Sequence, residues 1–216
     1  MDRQRTAVLV HGFLRTGRNM RPLAARLQAA GYHTILADLD TVFGRFDRAL
    51  DVLSATVYRA GSDAPLHLVG HSLGGLLIRH LLAREAVPNI AASVLIGAPA
   101  DGSPLARTWR VLLRPFPVNP IPLLDALQAG LPPIPPPIGN PPLGVIAGTG
   151  LDFPEGYIFA PWFRGEPHDG RVALAATRFD GMSDFVQLPL GHRVIHHRPE
   201  TAELVLRFFE TGRFQT

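Results

Sequence analysis

One short stretch constrains the fold of this chain more than any other. The residues Gly70-His71-Ser72-Leu73-Gly74 follow an apolar run at 66–69 and lead directly into leucines that recur at helical spacing over 73–81. Glycines on both sides of a serine allow a tight, strained passage from strand to helix, because Cβ atoms at those two positions would obstruct the turn. The stretch therefore predicts a strand, a sharp turn at Ser72 and a helix, in that order.

The same stretch is typical of a nucleophilic serine. In the G-x-S-x-G pattern between a strand and a helix, the serine hydroxyl projects beyond the edge of the sheet. The first N–H groups of the following helix point to the same place and favour negative charge there. A serine that only caps the helix would fit the same sequence pattern. The choice between a nucleophile and a helix cap therefore depends on the rest of the chain.

Short apolar runs alternate with helical patterns along most of the sequence. Strands are predicted at 7–10, 33–37, 66–69, 92–96, 143–148 and 184–188. The first helix is expected to have Asn19 as its N-cap, and the last to begin near Pro199. This alternation predicts an α/β fold with a mostly parallel sheet flanked by helices, and the 216 residues fit a single domain, 1–216.

A proline-rich segment interrupts the alternation. Residues 115–142 contain 11 of the 21 prolines, a density that excludes regular helix and interior strand. Many apolar side chains lie between these prolines, which is unlike an interdomain linker. The segment follows the fourth predicted strand and is therefore predicted to be a lid or cap over the C-terminal edge of the sheet, with a dimerisation surface as the alternative.

Composition excludes several classes of function. The chain has no cysteine, so it has neither disulfides nor a thiol nucleophile. All 21 basic residues are arginines and they are scattered, which argues against nucleic-acid binding. No apolar run reaches the roughly 18 residues of a transmembrane helix, and the run after the N-terminus is too short for a signal peptide. A cytoplasmic location is expected, and the oligomeric state stays open.

The position of the histidines predicts a catalytic base. A serine hydroxyl is a weak nucleophile until a base takes its proton, and that base is most often histidine. His192 follows the last predicted strand and so lies at the same sheet edge as Ser72, with His196 as the alternative. His11 and His71 are expected to orient backbone rather than react. The histidines expected on the surface or on a helix face are His33, His67 and His80.

The base needs a carboxylate on its other ring nitrogen, which holds the tautomer and stabilises the imidazolium. Asp169 lies between Ser72 and His192 in sequence and is the predicted acid, with Asp152 as the competitor. A metal centre is not expected, since the chain has no H-E-x-x-H pair and a metal would leave the serine turn unexplained.

Two backbone N–H groups are expected to form an oxyanion hole. One belongs to Leu73, the residue after the nucleophile. The other comes from the turn after the first strand, His11-Gly12-Phe13, where Phe13 is the predicted donor.

In this order, these motifs resemble the α/β-hydrolase fold, and most closely its small lipase and esterase members. The resemblance runs from about Ala7 to Phe214 and rests on His11-Gly12-Phe13, the serine turn, Asp169-Gly170-Arg171-Val172 and Gly191-His192. It implies a serine hydrolase that cleaves small-molecule or lipid esters through an acyl-enzyme and without cofactor. The apolar proline-rich segment and the His-Ser-Leu-Gly-Gly turn favour hydrophobic acyl chains. Thioesterase, amidase and acyltransferase activity use the same residues, and a non-catalytic binding scaffold is the alternative of another class.

Overall fold

Strands and helices alternate along the chain, as the apolar pattern predicts. The structure, a computed structural model, describes residues 5–41, 43–61, 64–100, 134–151 and 154–215. The strands are β1 (Thr6–Val10), β2 (His33–Ala37), β3 (Leu66–His71), β4 (Ile90–Ile96), β5 (Leu143–Gly148) and β6 (Asp184–Leu188). The helices are α1 (Arg21–Ala29), α2 (Phe46–Ala60), α3 (Leu73–Arg84), α4 (Pro154–Phe159) and α5 (Pro199–Thr211).

The six strands form one sheet in the order β2-β1-β3-β4-β5-β6. Each neighbouring pair is parallel, so the C-terminal ends of all six strands meet at one edge. β1, β3 and β5 are buried along their whole length, whereas the outer strands β2 and β6 are partly exposed. The buried strands are the ones whose sequences read as continuous apolar runs, which is the expected signature of a sheet covered on both faces.

Helices cover both faces of the sheet. Val8 and Val10 of β1 pack with α2 and α3 on one face, whereas Ala7 and Leu9 pack with α1 and α5 on the other. The alternation follows from the period of two along a strand. Burial of each leucine or phenylalanine in these two layers stabilises the fold by about 2 kcal/mol.

Two local predictions are wrong. Asn19 does not cap α1, because a short 3-10 turn at Gly17–Met20 precedes the helix and α1 begins at Arg21. His67 does not lie on the surface or on a helix face: it belongs to β3 and is 2% exposed, packed between the rings of Tyr32 and Phe209.

Most of the proline-rich segment 115–142 lies outside the described residues, which resume at 134. Its described end runs beside the C-terminal half of α3, where the N–H of Ile138 donates to the carbonyl of Leu82 at 2.8 Å. Leu82 lies nine residues beyond Leu73, about 14 Å along the helix from that residue. From Ile138 the chain therefore returns to the start of β5 at the end of α3 that is far from the serine turn. In the described residues, no helix is long and apolar enough to span a membrane.

Candidate active site

Ser72 occupies a strained turn between β3 and α3. Its φ of 54° and ψ of −122° lie outside the regions that most L-residues adopt. Glycine is required on both sides of it. A Cβ at Gly70 would lie 2.5 Å from the backbone nitrogen of Gly75, and one at Gly74 would overlap the carbonyl of Val10 in β1. The turn is held from the next strand, because the Ser72 N–H donates to the Ile96 carbonyl at 2.9 Å.

His192 lies between Ser72 and Asp169. Its Nδ1 is 2.7 Å from Oδ2 of Asp169, and its Nε2 is 2.9 Å from Oγ of Ser72. A carboxylate only accepts hydrogen bonds, so the ring donates through Nδ1–H and Nε2 accepts from the serine hydroxyl. His192 is 6% exposed and Asp169 is 3% exposed. This is the geometry that a serine needs in order to lose its proton to a base that is oriented by a carboxylate.

Asp169 is held in place by its own loop. Its Oδ1 accepts the backbone N–H groups of Arg171 at 3.0 Å and Val172 at 2.8 Å, which leaves Oδ2 for His192. Its carbonyl also accepts the backbone N–H of His192 at 2.9 Å. The neighbouring His168 stacks on Phe163 with ring centroids 4.0 Å apart, which anchors the loop to the turn after α4. The competing acid Asp152 lies outside the described residues.

Two glycines lie against the paired side chains of Asp169 and His192, and no sequence motif marks either of them. Gly97 follows β4 with a φ of +55°, and a Cβ there would lie 3.2 Å from Oδ2 of Asp169 and 3.4 Å from Nδ1 of His192. Gly148 ends β5, and a Cβ there would lie 2.8 Å from Cβ of Asp169. Glycine has no side-chain chemistry to mark such a position in the sequence, and the place of these two glycines becomes visible only when the C-terminal ends of the strands meet at one edge.

The turn after β1 lies against the serine. A Cβ at Gly12 would be 3.1 Å from Cβ of Ser72, so Gly12 lies directly beside the serine side chain. The buried ring of His11 donates through Nδ1–H to the Gly12 carbonyl at 3.0 Å and accepts the Leu39 N–H on Nε2 at 3.1 Å. Burial lowers the pKa of His11 below 6.5, which keeps the ring in this neutral form despite the nearby Asp38.

Leu73, the other predicted donor, is the first residue of α3, where a helix leaves its N–H groups without intrahelical acceptors. Neither the Phe13 N–H nor the Leu73 N–H donates to a backbone carbonyl within the described ranges. Phe13 lies in the turn after β1 and Leu73 follows Ser72 directly, so both N–H groups belong to turns at the C-terminal ends of strands.

His196, the alternative base, faces away from Ser72. Its Nε2 lies 2.8 Å from Oδ1 of Asn19, and its ring stacks on that of His71 with centroids 3.8 Å apart. Asn19 and His196 are 177 positions apart in sequence, so no local pattern could have paired them.

The chain matches a known protein family along almost its whole length. The family model described as "Alpha/beta hydrolase family" matches residues 7–212. A search of curated proteins found no match.

Solved structures with a similar fold include esterases and lipases. A lipase of Bacillus licheniformis in its mature form has a TM-score of 0.73 at 17% identity, covering 97% of this chain and 92% of that one. Polyneuridine aldehyde esterase has a TM-score of 0.60 at 16% identity, with 95% and 99% covered. A metagenomic carboxyl esterase has a TM-score of 0.68 at 19% identity; 90% of this chain is covered, and it spans 66% of that esterase, slightly under two thirds. At these identities the likeness is one of fold.

Proposed function

Since this chain belongs to the α/β-hydrolase family, we propose that it is a serine hydrolase that cleaves carboxylic esters through an acyl-enzyme. The observation that carries the proposal is the hydrogen-bonded series from Asp169 through His192 to Ser72, with distances of 2.7 and 2.9 Å, at a strained serine turn. A binding scaffold without catalytic activity would not need a histidine, a carboxylate and a serine in a strained turn to be hydrogen-bonded to one another.

The proposed reaction has two halves. In the first, Oγ of Ser72 attacks the ester carbonyl carbon while its proton passes to Nε2 of His192, and the developing oxyanion accepts the N–H groups of Phe13 and Leu73. Collapse of this intermediate breaks the ester C–O bond, and the leaving alcohol takes the proton from Nε2. In the second half, His192 deprotonates a water that attacks the acyl-enzyme, which releases the acid and restores the Ser72 hydroxyl.

The roles of Asp169 and of the two backbone N–H groups follow from charge. Asp169 stabilises the imidazolium that His192 becomes in both halves and holds its Nδ1–H tautomer. Each oxyanion donor is worth about 3 kcal/mol of transition-state stabilisation in sites of this kind. No step calls for a cofactor.

Hydrophobic acyl chains are the proposed substrates. Large apolar side chains are exposed on segments that follow strands of the sheet, at the edge where Ser72 lies: Leu14 after β1 is 51% exposed, Phe43 after β2 is 77% exposed, and Ile158 on α4, the helix after β5, is 63% exposed. Exposed apolar surface at a ligand-binding edge favours apolar ligands. A lid formed by 115–142 would add to this surface. The residues before 134 would have to form it, because the stretch from 134 leads back to β5.

A panel of nitrophenyl esters, thioesters and anilides, measured on the wild type and on Ser72→Ala, tests the proposal. We expect ester turnover with a preference for medium over acetyl chains, and a loss of at least about 10³-fold in Ser72→Ala. Ser54→Ala is the matched control, because Ser54 lies on α2 and donates to Glu85. Undiminished turnover in Ser72→Ala would refute the serine mechanism. Faster cleavage of thioesters or anilides would change the substrate class and leave the mechanism intact.

A further inference from the structure

Three histidine rings lie in a row behind His192; the first two are stacked and the third is tilted by 57°. The ring of His71 lies 3.8 Å from that of His196, with 22° between their planes, and His197 lies 3.9 Å beyond His196. The ring of His192 is 4.8 Å from that of His71. We call His71, His196 and His197 the histidine column.

Hydrogen bonds fix both ends of the column. Nε2 of His71 donates to the backbone carbonyl of His192 at 3.0 Å. At the other end, Nε2 of His196 donates to Oδ1 of Asn19 at 2.8 Å, and Nε2 of His197 donates to the Asn19 carbonyl at 3.0 Å. A carbonyl oxygen only accepts, so His71 and His196 each carry a proton on Nε2. Their buried Nδ1 atoms have no hydrogen-bond partner in the described part of the chain.

His71 and His196 are uncharged. Burial lowers the pKa of His71 well below 6.5, and His196, His192 and His197 lower it further. Burial lowers the pKa of His196 to about 2, with His197, His192 and Arg15 acting in the same direction. A neutral column matters because His192 gains a proton during the proposed reaction, and a second positive charge about 5 Å away would oppose it.

We infer that His71 is a positioning residue for His192, supported from behind by His196 and Asn19. The backbone of His192 is held on both sides: its N–H donates to the Asp169 carbonyl, and its carbonyl accepts from His71. His71 is also the residue before Ser72, so one side chain ties the serine turn to the loop that carries the base. The inference rests on the proposed function, because it concerns the alignment of His192 with Ser72.

The test compares His71→Leu with His71→Gln. Glutamine places an amide N–H group about where Nε2–H of histidine lies, whereas leucine fills similar space without a donor. We expect His71→Leu to lower kcat by about 10- to 100-fold with KM unchanged, since misplacement of a reacting group by about 1 Å has an effect of that size. His71→Gln should recover kcat to within about threefold of the wild type. Equal losses in both variants, or an unchanged kcat in His71→Leu, would overturn the inference.

A second variant, Asn19→Ala, tests the positioning role even if His71→Leu does not fold. Asn19 is partly exposed and accepts hydrogen bonds from His196 and His197, so its side chain is removed at the far end of the column from Ser72. A lower kcat with constant KM supports the positioning role, and an unchanged kcat overturns it. All rates are expressed per phosphonate-titrated serine. If the wild type hydrolyses esters at Ser72 while these variants keep the full kcat, only the positioning role fails; if wild-type Ser72 is not labelled, both proposals fail.

Discussion

At the scale of single residues, the two oxygens of Asp169 have separate tasks. Oδ1 accepts two backbone N–H groups of its own loop, and Oδ2 accepts Nδ1–H of His192. An asparagine at this position could keep the first task, because its carbonyl oxygen still accepts. Its NH₂ group would face Nδ1, which would have to accept, and the ring would then present N–H instead of a lone pair to Ser72.

Asp169→Asn is therefore expected to lower kcat by about 10³- to 10⁴-fold while the protein stays folded. Asp152→Asn is the matched comparison, since it removes the same charge from the competing acid. We expect it to leave kcat within about threefold of the wild type, as a substitution outside the reacting groups does. Steady-state kinetics and a thermal unfolding midpoint for both variants decide the question, and the reverse ranking would assign the acid to Asp152.

Sequence reasoning could nominate the residues of this site because their chemistry limits the choice. A serine between glycines is rare enough to notice, and His192 stands out by its place after the last strand. The local pattern predicts Asn19 as a helix cap, yet its side chain contacts a histidine 177 positions away. Such a pairing depends on how loops meet in space, which no local pattern encodes.

At the scale of elements, the parallel sheet brings the ends of separate strands to one place. β3 supplies the serine turn, β4 ends at Gly97, β5 ends at Gly148, and β6 leads to His192. The positions of these strands are predictable from the sequence, because a strand that is buried on both faces is a continuous run of apolar residues. The strand order and the close approach of the two glycines follow from crossovers and packing, and so needed the structure.

Gly97 offers a test of how tightly this edge is built. We expect Gly97→Ala to lower kcat by about tenfold, because its Cβ would crowd Oδ2 of Asp169 and Nδ1 of His192. Gly31→Ala is the control: it has a φ of +86° with nothing within 4 Å of the new Cβ. Both variants should lose about 1–2 kcal/mol of unfolding free energy to the left-handed backbone, and only Gly97→Ala should lose activity. Equal kcat in the two variants would show that the edge tolerates a methyl group.

At the scale of the whole molecule, buried neutral histidines couple stability to pH. His67 lies inside the layer between the sheet, α1 and α5, and burial lowers its pKa to about 4, with Arg5 adding to the decrease. In the unfolded chain its pKa returns to about 6.5. The unfolded state thus binds the proton more tightly, so the contribution of His67 to stability is complete above about pH 6.5 and falls as the pH drops toward 4.

The expected size of this effect is about 2 kcal/mol between about pH 7.5 and pH 5. Urea unfolding of the wild type and His67→Leu at both pH values measures it. The wild type should lose about 2 kcal/mol more than the variant, while the acid sensitivity of His71 and His196 remains in both. An equal pH dependence in the two proteins would mean that His67 is not the group responsible.

The proposed function makes Ser72 the nucleophile of an acyl-enzyme mechanism. Incubation with a fluorophosphonate, followed by tryptic digestion, tests it directly, because cleavage after arginine yields a peptide from Ala60 to Arg79 that contains Ser62 and Ser72. Fragment spectra should place one phosphonyl group on Ser72, and ester turnover should fall in proportion to the labelled fraction. An adduct on any other serine, or full turnover by protein labelled at Ser72, would contradict the claim.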